Sequence, residues 1–105
     1  MIVEMRTYKV RAGTRSKFID LMRAKLIPEH KKIGITVAGP FTSVEDETTI
    51  FWMRGFPDIA AQKSMTGTFY GGELWKRELA DAMLPILEKY DVVMVEVPEG
   101  TVQWQ

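Results

Sequence analysis

The 105-residue chain contains no cysteine and only one histidine, and these two shortages remove several kinds of chemistry. Without cysteine there is no disulfide framework, no thiol nucleophile and no thiolate metal site. The single histidine, His30, also excludes a metal site built from several histidines. We therefore predict neither a metal site nor a cofactor.

The chain also lacks an excess of one charge and any long apolar run. Its 14 Lys and Arg residues equal its 14 Asp and Glu residues, and no basic block occurs, which argues against a nucleic-acid partner. The absence of a long apolar run and of a signal peptide favours a cytoplasmic protein without a membrane partner. The length predicts one domain, residues 1–98, followed by a tail, residues 99–105. A domain of this size buries only about 65% of its unfolded surface, so dimerisation would be a natural source of further burial.

The apolar periodicity predicts the order strand, helix, strand, strand, helix, strand. The predicted strands are Ile2–Val10, Ile35–Val44, Thr48–Phe56 and Asp91–Val97. The predicted helices run from an N-cap at Thr14, past a kink at Pro28, to Gly34; from an N-cap at Asp58 to near Gly67; and, after an elbow at Thr68–Gly72, from Glu73 to Met83. This order is typical of the ferredoxin-like βαββαβ fold, an α+β fold with a four-stranded antiparallel sheet and helices on one face.

Alternation along the strands divides their side chains into two sets. We expect the apolar set to lie beneath the helices: Val3, Met5, Phe51 and Met53. We expect the other set to lie on the uncovered face: Glu4, Arg6, Tyr8, Trp52 and Arg54. Two such faces packed across a two-fold axis would form a homodimer that encloses a partly polar lumen.

Three segments carry a resemblance to the NIPSNAP family of the dimeric α/β-barrel superfamily. The opening VEMRTYKVRAG resembles the family's Y-E-x-R-x-Y start at Glu4, Arg6 and Tyr8, and FYGGELW is similar to F-Y-x-G-x-x-W. The segment FWMRGFPDIAAQ resembles W-x-R-G-F-x-D-x-x-x-R, with Gln62 where an arginine is usual. The resemblance implies a dimeric α/β barrel. Superfamily relatives include cofactor-independent oxygenases, haem-degrading enzymes, lactone isomerases and members without known activity.

Arg6 and Arg54 are expected to be neighbours on one face, and neither guanidinium can lose its proton. Glu4 lies two residues from Arg6 on the same face and can neutralise one of the two charges. Two interpretations stay open at this stage. The three groups form an ion-pair network that fixes the dimer, or the remaining positive charge receives a carboxylate or phenolate ligand.

His30 follows Pro28 near the end of the first helix and has lysines beside it, so we expect a surface position there. The functional alternatives are a general base or an axial haem ligand. Tyr8 is a second candidate for proton transfer. Phe69 and Trp75 are expected to pack in the core, and the glycines that follow Tyr70 suggest a loop able to move over a pocket.

The sequence predicts a homodimer that binds a small, flat organic molecule, either neutral or anionic, in a pocket lined by one sheet face. The candidate ligand contacts are Glu4, Arg6, Tyr8, Trp52, Arg54 and Tyr70, and the catalytic candidates are His30 and Tyr8. The resemblance adds a cofactor-independent oxygenase or isomerase as a conceivable activity. The alternative is a non-catalytic dimeric interaction module. An open pocket would favour ligand binding, and a filled interior with every charge paired would favour the module.

Overall fold

A computed structural model describes all residues, Met1–Gln105, and confirms the predicted ferredoxin-like α+β fold. Its strands are β1 (Ile2–Val10), β2 (Thr36–Thr42), β3 (Thr49–Phe56) and β4 (Leu87–Glu96). They form one antiparallel sheet in the order β2-β3-β1-β4. None of the helices has the length and apolar character needed to cross a membrane.

The first helical region contains three consecutive segments. They are α1 (Arg15–Leu21), a π-helical segment (Met22–Leu26) and α2 (Ile27–Ile33). Pro28, predicted to kink the helix, lies just after the π-helical segment, at the start of α2. Gly34 ends α2 with a φ of 107°, as its position predicts. Thr14 occupies the predicted N-cap position, but its side chain does not cap the helix, because its hydroxyl donates to the Arg11 carbonyl oxygen instead.

The second helical region starts with α3 (Ile59–Tyr70), whose N-cap is the predicted Asp58. Its carboxylate accepts a 2.7 Å hydrogen bond from the Ala61 N–H. The helix passes the predicted end at Gly67, because one helical glycine costs only about 1 kcal/mol and Phe69 anchors the next turn in the core. A π-helical segment (Trp75–Leu79) and the short α4 (Ala80–Met83) follow.

The helices cover the opposite sheet face from the one that we expected. Glu4, Arg6, Tyr8, Trp52 and Arg54 are all buried beneath them, so the prediction of an uncovered polar face is wrong. This face carries the largest apolar side chains, and its charged groups neutralise each other (see below). The covered core comprises Tyr8, Val10, Phe18, Ile19, Met22, Leu26, Val37, Ile50, Trp52, Phe69, Leu79, Met83 and Ile86.

The face without helices carries the other set: Val3, Met5, Phe51 and Met53, which were expected beneath the helices. The C-terminal tail crosses part of this face, and the Gln105 N–H donates to the Val37 carbonyl oxygen at 3.0 Å. Trp104 lies so close to Gly55 that a Cβ there would approach its ring to 2.6 Å. Gly55 pairs with Val3, which is fully buried. Met5, Phe51 and Met53, farther along, stay partly exposed.

Candidate functional site

One carboxylate, that of Glu4, holds two buried guanidinium groups. Glu4 is the direct partner of Arg54 across β1 and β3, and Arg6 lies two residues along β1 on the same face. Glu4 Oε1 accepts from Arg6 Nη1 and from Arg54 Nε, the latter at 3.0 Å. Glu4 Oε2 accepts from Gln62 Nε2 of α3 at 2.9 Å. Strand register thus brings together the three charges that the sequence suggested.

The charges in this cluster do not cancel. Burial alone would raise the pKa of Glu4, but Arg54, Gln62 and Arg6 outweigh it and hold the pKa below its usual range. The carboxylate therefore stays ionised, and both guanidinium groups stay protonated. One net positive charge remains beneath the helices.

His30 lies in the core, so the expected surface position is wrong. Its ring packs against Phe69 and Trp52, with centroid distances of 4.2 and 5.5 Å. The sequence carried a signal for this, since His30 continues the four-residue spacing of the buried Met22 and Leu26.

Hydrogen bonds define the protonation state of His30. Nδ1 lies 2.9 Å from the Leu26 carbonyl oxygen, and Nε2 lies 3.0 Å from Arg54 Nη1. Because a carbonyl only accepts and a guanidinium only donates, Nδ1 carries the proton and Nε2 accepts. The imidazole is therefore neutral. Burial and the charge of Arg54 lower its pKa to about 3.

Two tyrosine hydroxyls complete the polar group. Tyr8 Oη accepts from Arg6 Nε at 2.9 Å, and Tyr70 Oη accepts from Arg54 Nη1 at 3.1 Å. Burial raises the pKa of Tyr8, so this phenol keeps its proton. Each tyrosine oxygen accepts a hydrogen bond from a guanidinium group, so the hydroxyl proton of each tyrosine is free to be donated to another group.

Further donors come from the guanidinium groups. The hydrogen bonds of Arg6 use Nε and Nη1, and so do those of Arg54, which leaves Nη2 of each without a partner in the chain. The one fully buried side-chain polar atom without a partner is Trp52 Nε1, so both Nη2 atoms reach solvent. Both arginines line one cleft.

This cleft lies between the sheet and α3 and has a volume of about 470 Å³. Its polar lining is Glu4, Arg6, Tyr8, Arg54, Gln62, Thr66 and Tyr70. Its apolar and aromatic lining is Trp75, Leu84, Leu87, Tyr90, Val92 and Met94. One side of the cleft can therefore donate hydrogen bonds to an anion, and the other can contact an apolar body.

The cleft brings together most of the predicted ligand contacts. Trp52 is the exception, since it lies behind the arginines, with its ring 5.7 Å from Arg6 Cζ and 5.6 Å from Arg54 Cζ. The prediction of core packing is confirmed for Phe69, whereas Trp75 is only partly buried and lines the cleft. Sequence reasoning missed the contacts from β4: Leu87 and Tyr90 precede the predicted start at Asp91, and Val92 and Met94 lie in the predicted strand but were not assigned to the site.

Residues 3–95 match the sequence profile of the family described as NIPSNAP. An uncharacterised NIPSNAP domain protein from Burkholderia xenovorans superposes with a TM-score of 0.82 at 19% identity, covering 98% of this chain and 99% of that one. A NIPSNAP family protein from Agrobacterium tumefaciens has a TM-score of 0.82 at 18% identity, and the match covers 95% of this chain and 88% of that one. An antibiotic biosynthesis monooxygenase has a TM-score of 0.71 at 14% identity, and the match covers 93% of this chain and 99% of that one. None of the curated proteins compared with the chain matches it.

Proposed function

We propose that this chain, which belongs to the NIPSNAP family, binds a small organic anion with a flat apolar body in the cleft between its sheet and α3. The observation that carries the proposal is the unbalanced charge: two guanidinium groups share one carboxylate at the polar end of an open cleft. A bound anion would complete the neutralisation of this buried group.

The polar end favours an acceptor-rich ligand group. Nη2 of Arg6, Nη2 of Arg54 and the hydroxyl protons of Tyr8 and Tyr70 are all donors without a partner in the chain. A carboxylate or a phenolate offers only acceptors and would form charge-assisted hydrogen bonds with them. A neutral ligand of the same shape would leave the positive charge unpaired.

The opposite wall favours an apolar and planar body. Trp75 and Tyr90 supply aromatic surface there, and Val92 and Met94 supply aliphatic surface. The volume of about 470 Å³ lies within the range of small-molecule sites, about 300–1,000 Å³. Apolar walls with a few convergent polar groups are typical of such sites.

Calorimetric titration with 2-naphthoate and the neutral 2-naphthamide tests this proposal. We expect the carboxylate to bind and the amide to bind at least about ten-fold more weakly, because a hydrogen bond to a charged group contributes about 1.5–3 kcal/mol. Arg54→Lys keeps the positive charge but loses the planar guanidinium with its several N–H donors, and it should weaken naphthoate binding. Arg77→Gln, at an exposed arginine paired with Glu73, is the matched control and should change nothing. Equal binding of both compounds, or no binding of naphthoate, would contradict the proposal.

We further propose that the chain forms a homodimer through the sheet face without helices, rather than through the face that the sequence suggested. Met5, Phe51 and Met53 form an apolar strip there that the tail leaves partly exposed, and a second copy would cover it while both clefts stay open. Phe51→Asp should convert the dimer to a monomer in sedimentation velocity, whereas Ser64→Asp on the helical side should not. A monomeric unsubstituted protein would refute this part.

The charge state of the site argues for binding rather than proton abstraction. His30 Nε2 already accepts from Arg54, Glu4 accepts three hydrogen bonds, and burial keeps Tyr8 protonated. The oxygenase or isomerase activity that the resemblance suggests would therefore need a ligand that arrives deprotonated. The open cleft and its unpaired positive charge support ligand binding over a purely structural module.

A further inference from the structure

Gln62 is the one α3 residue that bonds the shared carboxylate, and it does so without adding charge. Its Nε2 donates to Glu4 Oε2 at 2.9 Å, and its partly buried side chain lines the cleft. A cationic side chain at this place would raise the net charge of the cluster to two. The neutral amide keeps it at one.

We propose that Gln62 determines the charge of the ligand, so that the cleft selects an organic monoanion with a single carboxylate over a dianion. This inference rests on the proposed function and adds the ligand charge to it. One carboxylate neutralises the cluster completely, and any second charged group then finds no cationic partner in the cleft.

The geometry of the polar end fits one carboxylate. Arg6 and Arg54 bond the same oxygen of Glu4, which holds their two guanidinium groups close together. The hydroxyls of Tyr8 and Tyr70 lie on these same groups. The free donors therefore lie on neighbouring groups at the polar end of the cleft, and one carboxylate has two oxygens that can accept from them.

The opposite wall has no cationic side chain that could pair with a second carboxylate. Trp75, Leu84, Val92 and Met94 offer apolar surface, and the polar atom of Tyr90 is neutral. Because Leu84, Tyr90 and Met94 are about half exposed, a second carboxylate against this wall would lose part of its hydration and gain no charged partner, which is unfavourable. The cleft therefore disfavours a dianion because Arg6 and Arg54 are its only cationic lining residues and Gln62, which also lines it, adds no charge.

The test compares 2-naphthoate with 2,6-naphthalenedicarboxylate, two rigid probes that differ by one carboxylate. Calorimetric titration of the unsubstituted protein should show the monoanion binding at least about ten-fold more tightly. Gln62→Arg should shift this ratio towards the dianion by about ten-fold, equivalent to about 1.4 kcal/mol. Gln62→Met, which removes the hydrogen bond to Glu4 without adding charge, should leave the ratio unchanged.

The outcomes separate this inference from the proposed function. If the dianion binds the unsubstituted protein as tightly as the monoanion, the proposed selection of a monoanion is overturned. This comparison does not depend on the folding of any variant. An unchanged ratio in folded Gln62→Arg, checked by thermal melting, overturns the role of Gln62 while anion binding stands. Failure of both probes to bind the unsubstituted protein overturns the proposed function itself.

Discussion

Replacement of Glu4 by glutamine should lower the free energy of unfolding by about 3–5 kcal/mol, the usual cost of breaking a buried ion pair from one side. The change keeps the shape of the side chain and removes its charge. Glu4 is only 2% exposed, and its two oxygens accept from Arg6, Arg54 and Gln62. No other carboxylate is part of this cluster.

The cost has two components. A glutamine amide has one acceptor oxygen, and its NH₂ group would face donors where a carboxylate oxygen now accepts. Two guanidinium groups would also remain beneath the helices without a counter-charge, although their Nη2 atoms keep some contact with solvent. With a urea m-value of about 1–3 kcal/mol/M, the unfolding midpoint should fall by at least about 1 M.

The matched control is Glu78→Gln, which breaks the ion pair with Lys25. That pair has a similar 2.7 Å contact, but its side chains are 44% and 53% exposed. Exposed pairs contribute about 0–1 kcal/mol, so the control should unfold almost as the unsubstituted protein does. If Glu4→Gln shifts the midpoint no more than Glu78→Gln, the buried cluster does not have the role that we assign to it.

Three further predictions concern stability. His30 has a pKa of about 3 when folded and about 6.5 when unfolded, so the unfolded chain takes up the proton first and stability falls as the pH drops below about 6.5. Between pH 7 and pH 5 the free energy of unfolding should fall by about 2 kcal/mol in urea titrations, and His30→Asn should remove this slope; the same slope in the variant would contradict the assignment to His30. Gly67→Ala should raise the melting temperature, because a helical alanine gains about 0.5–1 kcal/mol over glycine and its Cβ meets nothing within 4 Å. Gly55→Ala should lower the melting temperature, because overpacking costs about 1–3 kcal/mol and the new Cβ would lie 2.6 Å from both Thr36 Oγ1 and the Trp104 ring; an unchanged melting temperature would contradict this close packing around Gly55.

The order of elements followed from the sequence because each one carries a local signal. Alternation marked β1, and the capping residues Asp58 and Gly34 marked a helix start and a helix end. Strand alternation also grouped Glu4, Arg6 and Tyr8 correctly on one face. What alternation cannot decide is which of two faces the helices cover.

That choice depends on contacts between distant parts of the chain. Glu4 and Arg54 are 50 positions apart, and their pairing allows charged side chains to lie beneath helices. His30 was assigned to the surface from its charged neighbours, whereas its buried position depends on the Arg54 donor. The β4 side of the cleft was missed because it follows from strand pairing: Met94 is the partner of Glu4 and Val92 the partner of Arg6, which no local pattern in β4 indicates.

The most direct test of the central claim is an NMR titration with 2-naphthoate that follows the three tryptophan indole N–H signals. Trp75 lines the cleft, Trp52 lies buried behind the arginines, and Trp104 lies on the opposite sheet face. We predict a saturable shift of the Trp75 signal with no shift of the Trp104 signal. No shift of Trp75, or an equal shift of Trp104, would contradict an anion site in the cleft.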